Sequence, residues 1–303
     1  MKNYTNPIIP NENTGKVSDP YVLKVGDYYY HCYDVGSRGA ENGVYLACSK
    51  SLWDIGNGDT MRVYKATDGG VGCSWYAPEL HHLGDAWYIY GAPQTDENGM
   101  HTMTVLENKS DNPMGEYTNL GMVKGLENTW CIDGTILEYK GEHYFIWAGD
   151  AELVMAKMEN PYTVTKPYVS LSRPELPFET KTEIPVIEGP AILKRNGKIH
   201  IVYSANDSRD DSYCLGVLTY SGGDIMNPQN WAKRPEVSFE KTESIFGPGH
   251  CSFTTVTENG TDTDYIVYHA NLTSGDNWQD RNVFIQSFTW DEEDMPIFGK
   301  PQF

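Results

Sequence analysis

An all-β fold, a five-bladed β-propeller, is what this chain of 303 residues predicts. Three observations carry that expectation. One pattern recurs five times: a polar or acidic entry, an apolar strand, a turn containing Gly, and an aromatic-rich strand. Aligned on their apolar cores, the column before each first strand holds Asp19, Ala77, Asp133, Gly189 and His250, spaced by 58, 56, 56 and 61 residues. Near-constant spacing of this length marks a repeat architecture, and two clear strands with room for two more is the content of a propeller blade. Aromatic residues make up 13% of the chain, which suits strands better than helices.

The first unit, from Ser18, reads SDPYVLKVGDYYYHCYD; the second, from Trp75, WYAPELHHLGDAWYIYGAP. The third, from Cys131, is CIDGTILEYKGEHYFIWAG. The fourth, Glu188 to Asn206, places Asn196-Gly197 between two apolar runs, the strongest short-range hairpin signal. The fifth, from Gly249, is GHCSFTTVTENGTDTDYIVYHAN. Stretches such as Asn160 to Ser172 and Ser238 to Ile245 contain Pro or β-branched residues and read as strand or loop. No linker, low-complexity tract or charge block divides the chain, so residues 1–303 read as one propeller domain.

A net charge of −19 argues against nucleic acid and anionic membrane surfaces as partners, because both require a basic face. It is compatible with a neutral substrate. The opening MKNYTNPIIPNENTG lacks the apolar core of a signal peptide, and no apolar run approaches a membrane span. Six scattered cysteines with no C-x-x-C pair read as free thiols of a reducing compartment. Cytoplasmic residence is the expectation, with secretion after loss of a leader as the alternative. The oligomeric state has no sequence signal.

In a propeller the innermost strands line the central channel, so equivalent positions converge at one end of the axis. Asp19, Asp133 and His250 share the column, and Glu188 precedes it by one residue. Standing alone, Asp19 before Pro20 and Asp133 before Gly134 would read as turn residues, and His250 as a satisfied structural histidine. Convergence is what turns them into a site. Clustered, desolvated carboxylates raise one another's pKa, so one can stay protonated while another is ionised. General acid–base catalysis needs that division, and glycoside hydrolysis is built on it. Trp75, Tyr76 and Trp130 lie near the column and offer flat faces for a sugar ring, although Trp130 reads equally as blade packing. Glu79 reads as structural, paired with backbone donors. The Asp-rich stretch Asn206 to Asp211 lacks the Gly and Glu of a calcium loop and reads as solvated.

Five motifs at blade spacing carry a resemblance. Ser18-Asp19-Pro20, Ala77-Pro78-Glu79-Leu80-His81, Ile132-Asp133-Gly134-Thr135, Glu188-Gly189-Pro190-Ala191 and Gly247-Pro248-Gly249-His250 follow one another in order. They resemble the five-bladed propellers of glycoside hydrolase family 43, over Asn6 to near the C-terminus. Tyr213-Cys214-Leu215-Gly216, Asn227-Pro228 before Trp231, and Val267-Tyr268-His269-Ala270 are similar to the exo-acting α-L-arabinofuranosidases of that family. The resemblance implies an inverting mechanism: Asp19 as general base, Glu188 as general acid, and Asp133 orienting Glu188 and raising its pKa. Inversion requires the Asp19 and Glu188 carboxyls about 6.5–9.5 Å apart. The resemblance also implies that Arg281 reaches the active-site floor, with surface pairing as its other reading. It further implies that His250 meets a hydrated calcium or other cation on the axis. Tyr76 and Cys251 stand where the family usually has Trp and Asn. The implied activity is release of terminal α-L-arabinofuranosyl residues from arabino-oligosaccharides, within arabinan degradation. A β-D-xylosidase and a non-catalytic sugar-binding propeller are the alternatives.

Overall fold

A computed structural model describes residues 4–11, 17–36 and 40–303. Twenty strands form five four-stranded antiparallel sheets, each made of four consecutive strands. Blade one holds β1 (Tyr21–Val25), β2 (Tyr28–Val35), β3 (Gly43–Ser49) and β4 (Asp59–Lys65). Blade two holds β5 (Tyr76–Leu83), β6 (Ala86–Ala92), β7 (Thr104–Asn108) and β8 (Thr118–Met122). Blade three holds β9 (Ile132–Tyr139), β10 (Glu142–Gly149), β11 (Glu152–Asn160) and β12 (Thr163–Ser172). Blade four holds β13 (Ile187–Arg195), β14 (Lys198–Ala205), β15 (Cys214–Tyr220) and β16 (Trp231–Lys233). Blade five holds β17 (Phe246–Glu258), β18 (Thr261–Asn271), β19 (Arg281–Trp290) and β20 (Pro296–Ile297). Among the described residues the helical content is two short 3₁₀ turns, Leu52–Asn57 and Pro228–Asn230.

The predicted hairpin at Asn196-Gly197 is a two-residue turn closed by the Arg195–Lys198 pair. Both turn residues have positive φ, 47° and 83°, the geometry that matches the right-handed twist of the flanking strands. The first strands touch in sequence around the ring, β1 to β5, β5 to β9, β9 to β13, β13 to β17 and β17 back to β1. Apolar side chains from facing blades fill the wedges between them. One cluster joins Trp75 and Leu80 to Cys32 and Leu46; another packs Trp147 and Phe145 against Tyr90 and Met103. Each fully buried aromatic or aliphatic side chain in such a wedge contributes about 1.5–3 kcal/mol.

The N-terminal segment closes the ring against blade five. Ile9 bridges Val283 in β19, and Val17 and Ile9 pack with Val267, Val283 and Ile285. Buried Asn6 exchanges two hydrogen bonds with Ile285: its Nδ2 donates to the carbonyl at 2.8 Å, and the Ile285 amide donates to its Oδ1 at 3.0 Å. Its Nδ2 also donates to the Gln302 carbonyl at 2.8 Å. Asn6→Ala strands those groups and should cost about 1–3 kcal/mol. A fall in Tm of a few degrees with unchanged kcat is the expected result.

The five column residues share a backbone peculiarity. Asp19, Ala77, Asp133, Gly189 and His250 all have positive φ, at 48°, 41°, 56°, 56° and 42°. Four of the five are not glycine, and such a conformation costs on the order of 1–3 kcal/mol each. Pairing registers shift beside this column in blades two to five. A bulge of this kind bends a strand and re-aims a side chain. Here the positive φ recurs at the entry of all five inner strands, and those of blades one, three and five bring Asp19, Asp133 and His250 together.

Candidate active site

Asp19, Asp133, Glu188 and His250 come together at the entry of the inner strands. His250 stands between two of the acids: its Nδ1 is 3.2 Å from Asp19 Oδ1 and 3.9 Å from Asp133 Oδ2. The His250 amide donates to Ser204 Oγ at 2.8 Å, which fixes the start of its strand. A methyl group on Gly189 would sit 3.1 Å from the His250 ring, so the bare backbone there lets blades four and five close.

Asp133 reaches the neighbouring blade through the chain rather than through the Glu188 carboxyl. Its Oδ2 accepts from the Gly189 amide at 3.0 Å, which pins the backbone beside Glu188. Glu188 itself accepts at Oε1 from the Tyr213 hydroxyl at 2.7 Å. Tyr213 stacks on His269 at 5.8 Å between centroids, with planes 4° apart.

The electrostatics separate the acids. Burial pushes the Asp19 carboxyl up, but His250, Arg281 and His269 outweigh it and hold Asp19 well below the usual carboxylate range. Arg281 Nη1 lies 3.4 Å from Asp19 Oδ1, with a second bond of the same guanidinium to Ser18. The Asp19 amide donates to His269 Nδ1 at 3.2 Å. Burial and Arg281 depress the His269 imidazole to about 3, so it stays neutral. Asp133 is raised to about 7, by burial first and then by the charges of Glu188 and Asp19. Glu188 is raised by burial and by Asp19, with Tyr213 and His250 opposing. His250 is raised despite burial, because the charges of Asp19, Asp133, Glu188 and Glu79 act on it. Asp19 is thus held ionised, while burial raises both Asp133 and Glu188 above the ordinary carboxylate range.

The aromatic expectations divide. Tyr76 and Trp130 are 44% and 39% exposed, and His101 stacks on Tyr76 at 3.9 Å and meets Trp130 edge-on at 5.6 Å. Trp75 does not face a sugar, contrary to the expectation: it is 0% exposed, edge-on to Tyr64, and its Nε1 donates to the Gly72 carbonyl. Successive side chains of an extended segment point to opposite sides, so Tyr76 faces out because Trp75 faces in. Arg281 pairs inward with Asp19 rather than on the surface. Glu79 is buried, and in place of the expected backbone donors the partner found for it is His81 Nε2 at 2.8 Å. The Asp-rich loop is a clasp between blades: Asp211 accepts from Gly275 at 2.9 Å and from Ser274, while Asp207 holds Arg209.

Among the described residues no group of three or more His, Cys, Asp or Glu is placed to hold a metal ion. The carboxylates around His250 are turned to its ring and to backbone amides. This donor set offers no protein cage and suits only a hydrated cation met by one imidazole.

Three comparisons bear on this arrangement. Residues 4–296 match the family described as glycosyl hydrolases family 43. The chain is 31% identical to an extracellular exo-α-(1→5)-L-arabinofuranosidase of Streptomyces avermitilis, over 98% of this chain but 63% of that protein. It is 33% identical to a protein of the same description from Streptomyces chartreusis, covering 88% of this chain and 82% of the other. Its fold superposes on the crystal structure of an α-L-arabinofuranosidase from Lactobacillus brevis with a TM-score of 0.88. The two are 31% identical, over 99% and 97% of the respective chains.

Proposed function

This chain belongs to glycosyl hydrolases family 43, and from that premise we propose that it is an exo-acting α-L-arabinofuranosidase. It releases terminal arabinofuranosyl residues from arabino-oligosaccharides with inversion at the anomeric carbon. The observation that supports this reading best is the split among the axial acids: Asp19 strongly ionised, Asp133 and Glu188 raised.

In the proposed reaction a water molecule attacks the anomeric carbon and gives its proton to Asp19. The bond from that carbon to the leaving sugar oxygen breaks as Glu188 protonates the oxygen. Arg281 and His250 keep Asp19 anionic and aimed. Asp133 positions Glu188 through the Gly189 amide. Tyr76 and Trp130 supply apolar faces to the incoming glycan. A calcium or similar hydrated cation on the axis remains part of this proposal; a neutral His250 would be its one protein contact, and the ion's charge would then take the place of the imidazolium's in holding Asp19 ionised. The six free thiols favour a reducing compartment, and the relatives described as extracellular favour the secreted alternative.

The test is a comparison of 4-nitrophenyl α-L-arabinofuranoside with 4-nitrophenyl β-D-xylopyranoside. Arabinose release should lead in kcat/KM by on the order of 10-fold or more, the scale that one well-placed group confers. The reverse ratio would make the enzyme a xylosidase, and no turnover of either would leave a sugar-binding propeller.

A further inference from the structure

A fourth carboxyl lies beside the acids without a part in the reaction above. Asp34 is in β2, where Tyr21 pairs with Cys32; carrying that register two residues further sets Asp34 next to Asp19. From blade two, the Trp75 amide donates to the carboxyl, and Tyr76 lies near enough for the charges of Asp34 and Asp19 to add to the burial and the Cys73 charge that raise its hydroxyl. Its Oδ1 is buried and makes no hydrogen bond. A buried acceptor without a partner costs about 1–3 kcal/mol and is uncommon unless a ligand completes it.

We propose that Asp34 recognises the hydroxyl groups of the terminal sugar, completing its unfilled hydrogen bonds with the furanose rather than taking part in proton transfer. This rests on the arabinofuranosidase reading given above. Burial and the charge of Asp19 raise the Asp34 carboxyl to about 8, against the opposing Trp75 amide. At neutral pH it is therefore uncharged and can stand beside Asp19 without drawing on the cations that hold Asp19. A neutral carboxyl carries one donor and one acceptor, and its two oxygens exchange by rotation about Cβ–Cγ. A sugar hydroxyl is likewise donor and acceptor, so the two complement each other. Tyr76, exposed on the same side, would cover the ring face while Asp34 holds its edge.

The experiment is steady-state kinetics of Asp34→Ala and Asp34→Asn on 4-nitrophenyl α-L-arabinofuranoside at pH 7, with free L-arabinose as competitive inhibitor. Asp34→Ala should raise KM and the arabinose inhibition constant together, by on the order of 10–100-fold, with kcat changed far less. Asp34→Asn keeps a donor and an acceptor and should restore both to within a few-fold of wild type. Unchanged KM and inhibition constants in Asp34→Ala overturn the proposal. So does a fall in kcat alone, which would make Asp34 a positioning residue for Asp19. If wild type releases xylose and not arabinose, the functional reading fails separately, and the same pair of variants is measured on the xyloside with xylose as inhibitor.

Discussion

Glu188→Ala should cut kcat on arabino-oligosaccharides by on the order of 10²–10⁴, or about 3–5.5 kcal/mol of transition-state stabilisation. The loss should depend on the leaving group. A sugar alkoxide cannot depart without a proton, whereas a nitrophenolate can. The same variant should therefore keep most of its activity on 4-nitrophenyl α-L-arabinofuranoside. A second signature is the alkaline limb of the pH profile. In wild type the protons held by Glu188 and Asp133 are lost as pH rises, with Asp133 titrating near 7. Below that range the acid is loaded; above it kcat/KM on oligosaccharides should fall. Glu188→Ala should flatten that fall on the nitrophenyl substrate. Equal losses on both substrates would take the general-acid role away from Glu188.

Asp19→Asn should behave differently, with losses on the order of 10²–10⁴ on every substrate, because the single displacement needs the same activated water whatever the leaving group. Small anions supply the contrast. Azide needs no base, so Asp19→Ala should be rescued by it and should yield an inverted glycosyl azide. The substitution also removes the counter-charge from His250 and Arg281, whose side chains are 9% and 8% exposed. Stability should therefore drop as well, and Asn keeps more of the local hydrogen bonding than Ala does. Asp19 has a depressed folded pKa, so its contribution to stability is present above the ordinary carboxylate range and is lost as pH falls toward the folded value. An Asp19→Asn enzyme with wild-type turnover would contradict its assignment as base.

Much of this was legible in the chain because the repeat writes the same bend five times. The column of Asp19, Ala77, Asp133, Gly189 and His250 found by spacing is the column of positive φ found in the structure. Blade four was the exception by one residue. There a side chain on Gly189 would press on His250, and the preceding residue, Glu188, carries the acid. Less legible were groups from later strands of each blade. Tyr213, His269 and Asp34 lie at strand ends with no repeating column of their own, so spacing says nothing of their meeting Glu188 and Asp19. Trp75 and Tyr76 show a different limit. Two adjacent aromatics at a strand entry must face opposite ways, and composition does not say which faces the channel. Asp133 was expected to lift Glu188 by its charge. The coordinates show its contact running through the Gly189 amide, with burial as the largest influence on both carboxyls.

The central claim is that Asp19 and Glu188 work on opposite faces of one arabinofuranosyl residue. Proton NMR of the sugar released in the first minutes of turnover tests it most directly. β-L-arabinofuranose appearing first, before mutarotation, is the predicted result; α-L-arabinofuranose as the first product would contradict it.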